Sequence, residues 1–198
     1  AEGDQSNPMA TGGAVVWEDP RNSQSDSYYD YAVDIYLYDL ASGKEHRLSS
    51  GSGNCDLLAA GGGTVVWDNS SYDDTVYCMM LGPDERYGTA DDWGPNPVAV
   101  KTENNASAQL TKVDVLGDYL LVEVDQYENN SLMVYDIRSG QQEALINRGD
   151  VSVGYFAMGD GFAVWTETTS SYYYYSSTSG MYRYELASEK VEEIESYG

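Results

Sequence analysis

Three aspartates, Asp84, Asp91 and Asp92, stand within the segment Gly82-Pro83-Asp84-Glu85-Arg86-Tyr87-Gly88-Thr89-Ala90-Asp91-Asp92-Trp93-Gly94. Carboxylates gathered by a bent loop suit a hard cation, because calcium takes about six to eight oxygens, and Gly88 permits the bend. The expected cofactor is Ca2+ held by these three residues. The regular alternation of an EF-hand is missing, and a solvated acidic loop without metal is the competing reading. Nucleophilic catalysis has thin material: His46 is the single histidine, and no Gly-x-Ser-x-Gly, phosphate loop or zinc spacing occurs. The chain is therefore expected to be non-catalytic. The alternative is a carbohydrate-active enzyme, a glycoside hydrolase or lyase, using paired carboxylates; with 33 Asp plus Glu in the chain such pairs discriminate nothing.

Tyrosine is the second chemical theme, with 19 Tyr against 2 Phe. Tyr28, Tyr29, Tyr31 and Tyr72, with Tyr173 and Tyr175 in the run Ser170 to Gly180, mix rigid rings with small polar residues as a binding surface does. A glycan or a neighbouring subunit is the expected partner, against a plain hairpin extension whose tyrosines pack on their own sheet. Asn69, Asn105 and Asn129 begin Asn-x-Ser sequons in polar stretches expected to be loops, where glycosylation is physically possible. Cys55 and Cys78 are the two cysteines. Strands one and three of a sheet lie about 9.6 Å apart, so a disulfide between them requires Cys55 to fold back from a loop; both states stay open.

The elements that position these residues come from a repeat. Ala14-Val15-Val16-Trp17-Glu18-Asp19, Thr64-Val65-Val66-Trp67-Asp68-Asn69, Tyr119-Leu120-Leu121-Val122-Glu123-Val124 and Phe162-Ala163-Val164-Trp165-Thr166-Glu167 are apolar runs of the kind buried on both faces of a strand. A short apolar stretch closing on glycine precedes each. Tyr36 to Lys44, Met133 to Gln141 and Tyr182 to Lys190 align without gaps as a Tyr-rich strand entering a polar turn. Each unit reads as strand, glycine turn, buried strand, polar loop, Tyr-rich strand, Ser-Gly turn and edge strand, which is the plan of a propeller blade. In the second unit the insertion Gly82 to Pro97 delays the fourth strand to Val98-Ala99-Val100.

The expected fold is all-β: a β-propeller of four four-stranded antiparallel blades at about 8–50, 55–103, 109–147 and 151–195, within one domain 1–198. It closes as a four-bladed ring or forms an open arc completed by a partner. The phrases Val15 to Asn22 and Asp34 to Lys44 resemble blades of TolB-like β-propellers of bacterial and archaeal periplasmic and surface proteins. The resemblance implies a fold and no activity.

A net charge of −23 repels phosphate backbones and anionic membrane surfaces, so nucleic acid is excluded as a partner, and no apolar run is long enough to span a membrane. The opening Ala1-Glu2-Gly3-Asp4 reads as a mature terminus, and residues 1–7 as an arm able to pair with a neighbour's sheet edge. The loops after the second strands, bearing Glu18, Asp19, Asp26, Asp30, Asp34, Asp68, Asp73, Asp74, Asp125 and Glu128, should gather as an acidic rim. The expected function is an extracellular, periplasmic or cell-surface module that binds a protein or glycan, or that assembles with its own copies into a surface layer or filament.

Overall fold

Runs of β-branched and aromatic residues, broken by turn glycines, build sixteen strands in the computed structural model, which describes residues 4–23, 32–49, 54–69, 75–100, 109–126, 129–146, 151–159, 161–171 and 176–197. Blade 1 contains β1 (Ser6–Thr11), β2 (Ala14–Asp19), β3 (Asp34–Asp39) and β4 (Lys44–Arg47). Blade 2 contains β5 (Asp56–Gly61), β6 (Thr64–Asp68), β7 (Thr75–Met80) and β8 (Trp93–Ala99). Blade 3 contains β9 (Gln109–Leu116), β10 (Tyr119–Gln126), β11 (Asn129–Asp136) and β12 (Gln141–Ile146). Blade 4 contains β13 (Val151–Gly159), β14 (Phe162–Ser171), β15 (Ser176–Glu185) and β16 (Lys190–Tyr197). Each is a four-stranded antiparallel meander in chain order.

The tryptophans of the repeated phrase occupy matching points. Trp17 lies opposite Tyr36, Trp67 opposite Tyr77 and Trp165 opposite Tyr182. The three ring pairs stack at 6.0, 6.0 and 5.9 Å with interplanar angles of 20°, 18° and 23°. Blade 3 has Val122 opposite Met133 instead. The Ser-Gly turns match too: Asp39 and Asp136 accept backbone N–H bonds from Ala41 and Ser139, and Gly43 and Gly140 take φ of +67° and +65°. In blade 4 that left-handed position is filled by Glu189, at φ +54°.

The chain divides into two compact units, Ala1–Ser107 with Val115–Asp118, and Ala108–Asp114 with Tyr119–Gly198. In the first, Ala14, Val16, Ile35 and Leu37 of blade 1 form one buried cluster with Val65, Trp67 and Met79 of blade 2. In the second, Leu121, Leu132 and Val134 of blade 3 do the same with Ala163, Trp165 and Tyr184 of blade 4. One rule covers both: the Trp-bearing face of the later blade receives the Val16-type row of the earlier one.

Three expectations change. The repeated strand is buried on both faces in β6 but alternates between buried and half-buried residues in β2, although both read Val-Val-Trp. The fourth strand of blade 2 starts at Trp93 rather than Val98, because an edge strand tolerates Pro95 and Pro97 where an interior one would lose ladder bonds. Ser6 and Asn7 belong to β1, paired with β2, so they are not part of a free arm.

Candidate functional site

The insertion between β7 and β8 brings Asp84, Asp91 and Asp92 around one hydroxyl: Thr89 Oγ1 lies 3.3, 2.6 and 3.5 Å from their Oδ1 atoms. Asp92 also accepts the backbone N–H groups of Gly82, Gly88 and Thr89, and Asp84 accepts that of Arg86. The Asp91 carboxyl lies below its ordinary value, first through the Thr89 hydroxyl. Among the described residues no group of three or more His, Cys, Asp or Glu is arranged to hold a metal. The loop clasps blade 1. The Tyr87 ring meets the His46 ring of β4 at 4.4 Å, and the Glu85 carbonyl oxygen lies where a Cβ on Gly13 would approach it to 2.4 Å. Only glycine fits that turn.

Tyr28, Tyr29, Tyr31, Tyr72, Tyr173, Tyr175 and Asn105 lie outside the described residues. β14 and β15 remain paired out to Ser171 and Ser176. Asn69 follows β6 and is half-buried, with its Oδ1 3.9 Å from Cys55 Sγ. Asn129 is the first residue of β11, paired with Gln126, and not a loop residue. Cys55 and Cys78 are buried free thiols. Burial is the main cause that pushes their pKa values up, to about 11 and about 12.

The acidic rim is also altered, because two of its members point into the fold. Asp34 is buried, accepting from Ser49 Oγ at 2.9 Å, Arg47 Nη2 at 2.6 Å and Asn22 Nδ2 at 2.8 Å. Asp19 is buried against Trp17 Nε1 at 3.1 Å, the Arg21 backbone N–H at 2.9 Å and the Arg21 guanidinium. Burial alone would raise the Asp19 pKa; the Arg21 and Trp17 donors outweigh it and hold the carboxyl at about 2.

Arg21 leads to the candidate site. Its guanidinium lies 4.2 Å from the Tyr36 ring centre and bridges Asp19 to Glu45 of β4, with Nη2 at 3.2 Å from Glu45 Oε2. Beside this bridge, on the Trp-bearing face of blade 1, is a cleft of about 470 Å³ lined by Gln5, Ser6, Pro8, Val15, Trp17 and Tyr38, with Arg21 and Glu45. The same positions are sealed elsewhere: Val65, Trp67 and Met79 in blade 2 and Ala163, Trp165 and Tyr184 in blade 4 are buried. In blade 1, Val15 and Trp17 are half-buried and Tyr38 is 39% exposed. A concave, mostly apolar surface of this size edged by a few polar groups is a binding surface in form. Sequence reasoning treated Trp17 and Tyr38 as fold signals only, since nothing in their phrase differs from its copies.

Comparison with known proteins bears on the fold. No family model matches, and no curated protein matches. Among solved structures, the chain is similar to the β-propeller domain of the trilobed protease from Pyrococcus furiosus, described as having an open velcro topology, with a TM-score of 0.65 at 11% identity over 97% of this chain and 55% of that one. The fold is a β-propeller. An acylaminoacyl peptidase from Pyrococcus horikoshii matches with a TM-score of 0.61 at 10% identity, covering 96% of this chain and 26% of that one. The Dos1 propeller matches at 0.57 and 10% identity, covering 98% and 47%. This propeller chain thus spans about half the length of the propeller domain it matches and about a quarter of the peptidase. Among its described residues no helix is long and apolar enough to cross a membrane.

Proposed function

We propose that this β-propeller is a non-catalytic recognition module of the TolB-like kind, working outside the cell or at its surface and taking a protein or glycan on the outer face of blade 1. The observation that carries this reading is the cleft at Val15, Trp17 and Tyr38, where a face buried in the other blades stands open. Aromatic rings supply contact area at low conformational cost, and the Arg21–Glu45 bridge supplies a polar edge that orients what binds. The net charge of −23 keeps such a module soluble and directs it away from anionic polymers.

Surface plasmon resonance tests the reading, with the native protein and Trp17→Ser compared over a panel of oligosaccharides and purified surface proteins of the same source. The expected result is at least one binder whose affinity falls about tenfold or more in the variant, about 1.4 kcal/mol, with an unchanged circular dichroism spectrum. Equal binding by both proteins across every positive in the panel would overturn it.

A further inference from the structure

The three tryptophans of the repeated phrase differ in what their indole N–H groups meet. Trp17 Nε1 donates to Asp19 at 3.1 Å and Trp165 Nε1 to Glu167 at 2.8 Å, each acceptor standing two residues further along the strand. In blade 2 that position holds Asn69, whose Oδ1 lies 3.9 Å from Cys55 Sγ. Trp67 is 2% exposed, and none of the described residues accepts its indole N–H. A buried donor without any acceptor carries its full desolvation penalty, so this group calls for a partner from outside the chain.

A cavity of about 60 Å³ offers the place for one. It lies between blades 1 and 2, inside one compact unit, and Trp67 forms part of its wall together with Asn69, Ser49, Cys55 and Tyr77. We propose that this cavity is a water site, in which a bound molecule accepts the Trp67 N–H and relays it to Asn69, doing for blade 2 what Asp19 and Glu167 do for blades 1 and 4.

Size and charge select that ligand. A water molecule takes up about 30 Å³ in the liquid and needs two to four polar neighbours, so the cavity has room for one or two and none for a sugar ring. The carboxylates of Asp34, Asp56 and Asp68 act on Cys55 in the same wall and disfavour an anion. An indole N–H has a donor and no acceptor to offer, which disfavours a cation. What remains is a small neutral molecule able both to accept and to donate. The same field accounts for an amide at position 69. An aspartate there would add a carboxylate to Asp34, Asp56 and Asp68, and two residues further on blade 2 has Ser71 where blade 1 has the arginine that pairs with Asp19.

A high-resolution crystal structure of the full chain tests the proposal, together with NMR transfer of magnetisation between bound water and the indole protons, for the native protein and Asn69→Asp. The native crystal should hold a water at about 2.7–3.2 Å from Trp67 Nε1. The Trp67 indole proton should show transfer to bound water, and that of Trp165 should show none. In Asn69→Asp the new carboxylate should take the N–H directly, and both signals at Trp67 should be lost. Asn69 Oδ1 accepting the N–H in the native crystal would overturn the proposal, as would a bare Nε1, a solute larger than water, or water retained on Nε1 in Asn69→Asp. The two native measurements decide the matter even where the variant does not fold.

Discussion

The Glu18 carboxylate accepts the backbone N–H of Leu57 at 2.9 Å, and so ties the second strand of blade 1 to the first strand of blade 2. Asn7 completes the clamp by donating to the Leu57 carbonyl at 2.7 Å. The second unit has a related joint, with Glu123 at the position of Glu18 and Lys112 at that of Asn7: Glu123 pairs with Lys112 at 3.1 Å, and Lys112 donates to the Gly154 carbonyl at 2.7 Å. A carboxylate at the fifth position of the repeated phrase therefore serves as a joint between blades. Glu18→Ala leaves the Leu57 N–H without its acceptor and should destabilise the chain by about 1–3 kcal/mol, read as a lower urea midpoint.

Matching position does not mean matching energetic weight. Trp165 is buried among residues of blades 3 and 4, whereas Trp17 borders the open cleft. Trp165→Ala should cost about 3–5 kcal/mol. Trp17→Ala should cost roughly 1–2 kcal/mol, in proportion to the smaller apolar area it covers. Urea unfolding of the two variants gives the comparison; equal costs would mean that Trp17 is as fully covered as Trp165.

Asp19 makes stability depend on acidity. Its carboxyl ionises at about 2 in the fold against 3.8 for the ordinary group. Between those values the unfolded chain binds a proton that the native chain does not, so stability falls as the pH drops from about 4 toward 2. The contribution is complete above the unfolded value and is on the order of 2 kcal/mol. Asp19→Asn should flatten that stretch of the stability–pH curve, measured by chemical unfolding at stepped pH.

Both thiols should be silent in the native protein. Cys55 and Cys78 are buried and their pKa values are pushed up to about 11 and about 12, so little thiolate exists at neutral pH to attack a disulfide reagent. Titration with such a reagent under non-reducing conditions should find no rapidly reacting thiol in the fold and two after denaturation. A denatured chain with none would mean that the pair is oxidised.

The blade 4 turn offers a stabilising change. Glu189 holds φ +54° where Gly43 and Gly140 stand in blades 1 and 3, and a side chain in the left-handed region costs about 1 kcal/mol. Glu189→Gly should raise the melting temperature, an effect visible by calorimetry, with the blade's other turn bonds unchanged.

The sheets were legible in the sequence because the second-strand phrase recurs four times and the turn phrase three times, each copy written independently by local chemistry. Which side of a strand meets water was not, since Val15-Val16-Trp17 and Val65-Val66-Trp67 are identical and differ only in what packs over them. The insertion was legible only in part. Its aspartates have the composition of a cation loop, yet they hold backbone N–H groups, and the contact with blade 1 runs through Tyr87 and a carbonyl, neither of which has a sequence signature. Asp19 and Asp34 counted as surface charge until their partners Arg21 and Arg47, distant from solubility arguments, drew them inside.

Pro95 and Pro97 in β8 have a consequence for how copies can meet. An unpaired strand border invites another chain to zip onto its amides, and prolines remove the donors that such growth requires. The border formed by β16 is instead studded with Lys190, Glu192, Glu193 and Glu195. These margins resist amyloid-like stacking, so contact between molecules is steered toward the broad sides of the sheets, where side chains rather than backbone decide who is admitted.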